Sequence, residues 1–322
     1  MRIILFILAF SAFGIACKQD NNKSDTTQPK KKDLFIPDFN QDSAYAYIER
    51  QLAFGPRVPG TKAHLECRDY LVNKLESFGV KTQLQEFKAN FLDQNNVNSY
   101  NIIGTINPNA TKRILLSAHW DSRMIADKDD NADMKNKPIL GADDGASGVA
   151  VILELASVFH KYPLENLGID IVLFDAEDQG KDNENWCLGA KYWTTHPHRP
   201  GYSAKYGILL DMVGAKGATF RYEANAYQFD QELHEAIWTL AGDLGYGNFF
   251  IPQMSGTIED DHYYVMKNMG IPMVDIINTK MGNQGGFGDY HHTHEDNLGI
   301  INKRTLQVVG KLMCNVIYRE NA

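Results

Sequence analysis

The sequence has 322 residues, 43% of them hydrophobic, with 40 acidic against 32 basic side chains and a formal net charge of -8. A chain of that size can bury one large core or two modest ones. The acidic balance leaves no basic stripe to displace counterions from phosphates, which excludes nucleic acid as a partner.

At the N-terminus, Arg2 precedes the apolar run "IILFILAFSAFGIA", which ends at Cys17. The run is too short for a permanent membrane span and reads as a secretory signal over residues 1–16. Gly14 and Ala16 just before Cys17 resemble the lipobox of bacterial lipoproteins. That resemblance implies cleavage before Cys17, lipidation of its side chain and a protein held to a bacterial membrane on the periplasmic or cell-surface side. The next stretch, "KQDNNKSDTTQPKKKD", has no apolar residue with which to offset its ordering entropy, so residues 17–40 are expected to be a flexible tether. The remaining cysteines, Cys67, Cys187 and Cys314, are widely spaced. They form neither a CxxC metal site nor a disulfide framework and are expected to be small core residues.

From residue 41 to 322 helices and strands alternate. Helical spacing of apolar residues predicts helices over 42–54 and 60–79, and strands come next over 80–87 and 100–106. "RILLSAHW" is a strand, and a long polar loop separates it from a helix over 146–162. The strand "LGIDIVLFDAED" comes next, then a strand over 206–214, helices over 230–246 and 259–270, a strand over 271–278 and a helix from Lys303 onward. Several strands are continuous apolar runs, as expected where helices cover both faces of a mostly parallel sheet. The predicted fold is one α/β domain with a mixed, mostly parallel central sheet flanked by helices.

The polar residues at the strand ends are the unusual feature. "RILLSA" ends in His119 and Asp121, "DIVLF" in Asp175, Glu177 and Asp178, and "GILL" in Asp211. "GADDGASG" opens a helix with Asp143 and Asp144, and "YHHTHED" supplies His291, His292 and His294. Ligands bind at the carboxyl ends of strands in open α/β sheets, and each motif alone has a plain reading as a helix cap or a solvated turn. Together they bring oxygen and imidazole donors to one sheet edge, where a divalent zinc ion would absorb the carboxylate repulsion. The loop 123–139 carries Asp127, Asp129, Asn131 and Asp133 in alternation. Ala132 and Pro138 stand where a calcium loop needs glycine and glutamate, so this loop is expected to be solvated. Trp120 is expected in the core.

In order, "HWD", "GADDGASG", "FDAEDQG", "LLD" and "HHTHEDN" resemble the motifs of the co-catalytic zinc aminopeptidases. More closely, "LGADDGASGVAV", "FDAEDQG", "WCLGAKYW", "EDDH" and "DYHHTHEDN" are similar to zinc-dependent glutaminyl cyclases of the bacterial form related to the animal enzyme. This resemblance implies a glutaminyl-peptide cyclotransferase, which turns the N-terminal glutamine of peptides and proteins into pyroglutamate with release of ammonia. It implies one zinc ion on Asp144, Asp178 and His292, with Glu177 as general acid and base. Asp211 and Asp260 become the hydrogen-bonding partners of Glu177, and Trp186 becomes part of the substrate pocket. The chain departs from the animal enzyme in carrying Glu177-Asp178 for Glu-Glu, His291 for a pocket tryptophan and Ala118 for one of two cysteines. The rival reading is a two-zinc aminopeptidase, in which His119 and Asp211 complete a second site that shares Asp144. Asp260 in "EDDH" argues against it, since a third carboxylate can hold Asp211 in a hydrogen-bond network instead. A non-catalytic binding lipoprotein has no need of Glu177.

Overall fold

Four parallel strands with every residue buried set the architecture. The computed structural model describes residues 34–181, 184–280 and 286–322. Contacts divide the chain after Leu34, and among the described residues every helix and strand lies in the unit Phe35–Ala322. The signal segment 1–16, Cys17 and the polar stretch to residue 33 lie outside the described residues.

In chain order the elements are α1 (Gln41–Leu52), α2 (Lys62–Ser77), β1 (Lys81–Phe91), β2 (Gln94–Ile106), β3 (Arg113–His119), α3 (Ala146–Lys161), β4 (Gly168–Phe174), α4 (Leu188–Thr195), β5 (Gly207–Asp211), β6 (Phe220–Tyr222), α5 (Ala224–Phe229), α6 (Gln231–Asp243), β7 (Phe250–Met254), α7 (Asp261–Met269), β8 (Met273–Ile277) and α8 (Lys303–Asn321). The main sheet runs β1-β2-β4-β3-β5-β8. Strands β4, β3, β5 and β8 are mutually parallel, and the hairpin β1–β2 adds an antiparallel edge against β4. The mixed, mostly parallel sheet expected from the sequence is present.

The four parallel strands are buried along their whole length because helices pack on both faces. Along β3, Ile114, Leu116 and Ala118 enter the core built with α1, α3 and α8. Leu115 faces the other way, into the core that holds Ala190 and Trp193 of α4 and Val265 of α7. Gly148, in the first turn of α3, lets that helix approach β5: an added Cβ would stand 2.0 Å from the carbonyl oxygen of Leu210.

Three expectations need correcting. The tether does not extend to residue 40, because 35–40 belong to the folded unit. Phe39 is buried against Gly310 of α8, and Asn40 caps α1 by accepting from the backbone N–H groups of Asp42 and Ser43. Ile36 and Phe39 supply apolar surface that packs into the core. Strands β1 and β2 are also longer than predicted and pair as a two-stranded ribbon from Lys81↔Thr105 to Phe91↔Gln94. The added part of β2, "QNNVNS", is mostly polar, while in β1 the alternation continues through buried Phe87, Ala89 and Phe91. Finally, α4, α5, β6 and β7 were not foreseen; they are short, and only tertiary packing holds segments of that length.

Candidate active site

The sheet order brings the polar strand ends together. His119 is the last residue of the central strand β3, opposite Phe174 in β4, with β5 on its other side. Glu177 and Asp178 therefore lie past one neighbouring strand, and Asp211 ends the other. His119 Nε2 is 3.0 Å from Asp144 Oδ1 and 3.2 Å from Asp211 Oδ1. His292 Nε2 is 3.0 Å from Asp178 Oδ1 and 3.9 Å from Asp144 Oδ2. Asp260, the N-cap of α7, completes the ring of acids, and these acids and His292 border one cleft of about 570 Å³, with His119 buried behind them.

Of the three carboxylates in "FDAED", Asp175 turns away from the cleft. It meets His64 Nε2 of α2 at 2.8 Å and accepts from the backbone N–H groups of Tyr100 and Ala176. Glu177 and Asp178 face the cleft, and their turn is held from beneath by Asp121. That carboxylate accepts from the backbone N–H of Glu177 at 3.1 Å, of Asp178 at 3.3 Å and from the Gln179 amide at 2.8 Å. Positive φ angles at Ala176 (53°), Met212 (48°) and His292 (60°) aim the side chains. Non-glycine residues rarely adopt this region, at about 1–3 kcal/mol each, and they cluster where a site requires the geometry.

Asp144 is placed by backbone approach rather than by capping. Gly145 has φ 98°, and an added Cβ there would lie 2.4 Å from the carbonyl oxygen of Asp121. Asp296 accepts from the backbone N–H groups of Asp143 at 2.8 Å and Asp144 at 3.1 Å, which ties the Asp144 turn to the loop of His292. Asp143 itself accepts from Gly214 N–H and from the Tyr290 hydroxyl and stays out of the cleft. Buried Arg57 donates to the carbonyls of Trp120, Leu140 and Gly141, pinning the segments on either side of Asp121 and Asp144.

Burial pushes the Glu177 carboxyl well above the usual range, and Asp260, Asp178 and Asp261 push it further against the pull of His119. Asp211 is pushed up to about 8, chiefly by burial, with Asp260 and Asp144 adding to it and His119 opposing. Asp178 is also raised, by burial and then by neighbouring Asp144. Burial works against ionisation of Asp144 too, yet the hydrogen bond and charge of His119 hold it below the usual range. Such a packed set of acids calls for shared protons or a cation.

Asp144, Asp178 and His292 fit a zinc ion. Asp178 Oδ2 is buried with no hydrogen-bond partner, and an oxygen–oxygen–imidazole set suits zinc. The 3.0 and 3.9 Å separations bracket the edge of about 3.4 Å expected between ligands of a tetrahedral zinc. Among the described residues, four groupings have ligand atoms within 4.8 Å of one another: Asp144, His291 and His292; His119, Asp144 and Asp211; Glu177, Cys187 and Asp260; and Asp260, His262 and Asp275. His119, Asp144 and Asp211 of the two-zinc arrangement are thus close together, and in the one-zinc arrangement His292 stands next to both Asp178 and Asp144.

Two placements differ from expectation. Asp211 makes its hydrogen bond to His119 rather than to Glu177, because β3 stands between β5 and β4. Glu177 is instead grouped with Asp260 and Cys187, all within 4.8 Å, and the Cys187 thiol donates to Glu177 Oε1 at 3.3 Å. Cys187 is buried as expected, but against the acid rather than only in the core. The loop 123–139 is also not simply solvated. Arg123 is buried and donates to the Asp178 carbonyl at 2.9 Å and to both Asp127 oxygens. Asp127 Oδ1 stands 3.5 Å from His292 Nδ1, a charge contact on the outer side of that ring. Trp186 lines the cleft, with its ring near-parallel to His292 at 6.0 Å and the Arg123 guanidinium 4.8 Å from its centroid. Trp120 is buried, stacked on His64.

Comparison with known proteins gives a consistent set of relatives. Residues 101–317 match peptidase family M28. A glutaminyl cyclase from Porphyromonas gingivalis superposes with a TM-score of 0.84 at 48% identity, covering 87% of this chain and 98% of that one. A zinc-dependent exopeptidase from Parabacteroides distasonis superposes with a TM-score of 0.86 at 45% identity, covering 88% and 99%. The glutaminyl-peptide cyclotransferase of Drosophila melanogaster is 26% identical over 78% of this chain and 73% of its own length.

Proposed function

This chain belongs to peptidase family M28 and, within it, to the bacterial glutaminyl cyclases; from that premise we propose that it closes N-terminal glutamine to pyroglutamate on a single bound zinc ion. The observation that carries the reading is the buried pair Glu177 and Asp260 beside Asp178 and His292. A ring closure needs one group that both accepts and returns a proton, and an acid held above its usual range by burial beside a second acid is suited to both.

In the reaction, the substrate's α-amine attacks its own γ-amide carbon. A new C–N bond forms, the bond to the amide nitrogen breaks, and ammonia leaves. Asp144, Asp178 and His292 would hold the zinc ion, which when bound would supply Lewis acidity toward the γ-amide oxygen. Glu177 takes the proton from the attacking amine and returns it to the departing nitrogen. The Cys187 thiol on Oε1 orients that carboxyl, and Asp260 beside it keeps a proton available to the pair. Because nucleophile and electrophile share one molecule, the protein's remaining task is to hold the ring-closing conformer, with Trp186 as a wall.

The aminopeptidase alternative draws on the His119, Asp144 and Asp211 grouping and on the likeness to an exopeptidase. Against it stands the likeness to glutaminyl cyclases, 48% identical over 87% of this chain in the Porphyromonas gingivalis enzyme. Metal content measured beside two assays separates the readings. Expected are one zinc per chain, ammonia release from a glutaminyl peptide and no hydrolysis of a leucyl peptide. Two zinc ions, both needed for turnover, with cleavage of the leucyl peptide would overturn the assignment.

The small residues before Cys17 and the polar stretch after it support a lipid-anchored protein facing the periplasm or cell exterior. Cys17→Ala is expected to move the protein from the membrane to the soluble fraction with its cyclase activity intact. A wild-type chain recovered soluble with residues 1–16 still attached would refute the anchor.

A further inference from the structure

One wall of the cleft is basic and takes no part in the cyclisation chemistry. Lys128 Nζ lies 2.7 Å from His291 Nδ1, and the Lys128 backbone N–H donates to the His292 carbonyl at 3.3 Å. An ammonium can only donate, so His291 Nδ1 accepts and the ring proton sits on Nε2. That nitrogen is 3.8 Å from Asp144 Oδ2, and among the described residues it has no hydrogen-bond acceptor. A protonated nitrogen cannot ligate a metal, so the same contact removes His291 from the candidate ligand set. What remains is a donor aimed into the cleft, on a ring stacked at 3.7 Å on His292.

The charge on Lys128 is equally unspent. The other cation lining the cleft, Arg123, is taken up by Asp127 and Asp178. No carboxylate among the described residues pairs with Lys128, whose side chain lies on the exposed rim. With the inner end of the cleft given to the reacting glutamine, the rim is where the second residue of the peptide passes.

Resting on the cyclase reading, we propose that Lys128 and His291 form the subsite for the peptide beyond its N-terminal glutamine. His291 Nε2–H donates to a backbone carbonyl of the substrate, and the Lys128 ammonium favours an acidic side chain in the second position. The loop 123–139 thereby becomes a specificity element.

The test uses the zinc-loaded enzyme and three peptides that differ only in the second residue: Gln-Glu, Gln-Ala and Gln-Lys. Wild-type kcat/KM is expected to favour Gln-Glu over Gln-Lys by roughly two- to fivefold, as an exposed ion pair allows, and to lose the preference at high salt. Lys128→Gln keeps a donor for Nδ1 and is expected to bring the ratio to about one. Lys128→Glu is expected to invert it. His291→Phe keeps the stack on His292 and is expected to raise KM for all three peptides alike, by roughly fivefold for one lost hydrogen bond, with the ratio unchanged. Ratios within one variant do not depend on how much of it is folded. A wild-type ratio of one, or a ratio that Lys128→Glu leaves unaltered, overturns the subsite while leaving the cyclase reading intact. A wild-type enzyme that cyclises none of the three removes both.

Discussion

Glu177→Gln is expected to lower kcat for cyclisation by roughly 10²–10⁴-fold, the loss typical when a general acid–base group is removed, with zinc content unchanged. The amide keeps the size and planarity of the acid, and the Cys187 thiol can still donate to its oxygen. What disappears is the proton acceptor. Because Asp178 and His292 are untouched, metal analysis of the variant is expected to match wild type. KM is expected to change far less than kcat, since the glutaminyl substrate still meets the same cleft walls. A variant that loses its zinc in step with its activity would place Glu177 among the ligands and reverse the roles.

The neighbouring carboxylate is expected to fail differently. Asp178→Asn removes one negative ligand from the set and leaves Asp144 and His292 to hold the ion, so metal affinity itself falls. The loss is expected to exceed the roughly 10–100-fold typical of a lost outer partner, because the donor itself is gone. The Arg123 guanidinium, 3.4 Å from Asp178 Oδ1, adds to it by leaving a cation beside a weakened site. Activity is expected to vanish at trace metal and to return in part when zinc is added, which no addition achieves for Glu177→Gln. Retention of full metal and full activity by Asp178→Asn would mean that zinc sits elsewhere in the cluster, with the His119, Asp144 and Asp211 group as the next place to test.

Much of this site is legible in the primary structure because strand ends are legible. Uninterrupted apolar runs such as "GILL" mark strands buried on both faces, and the polar residue that ends each run must emerge at a sheet edge. His119, Asp178 and Asp211 are found in that way, and family resemblance then orders them into roles. The residues that hold them in place leave no comparable trace. Asp296 and Asp121 stand inside the quoted motifs, but nothing in the letters says that they accept backbone N–H groups of Asp144 and Glu177. Arg57 lies 87 residues before Asp144, and its burial is invisible from sequence because an arginine is ordinarily at the surface.

The amino-acid sequence by itself determined the α/β class, the helices over the apolar-periodic segments and which residue types reach the sheet edge, since side-chain periodicity is a local property of the chain. Tertiary structure alone decided which acid meets which partner. The order β4-β3-β5 puts His119 between Glu177 and Asp211, so Asp211 bonds the histidine and Glu177 is left with Asp260 and Cys187. The polar loop 123–139, unremarkable as text, became a wall of the cleft because Arg123 is drawn into the acid cluster and carries Asp127 and Lys128 to the His291–His292 turn. The loop contacts join residues 55 to 165 positions apart, and strand order and loop closure create them where no short-range pattern in the chain can.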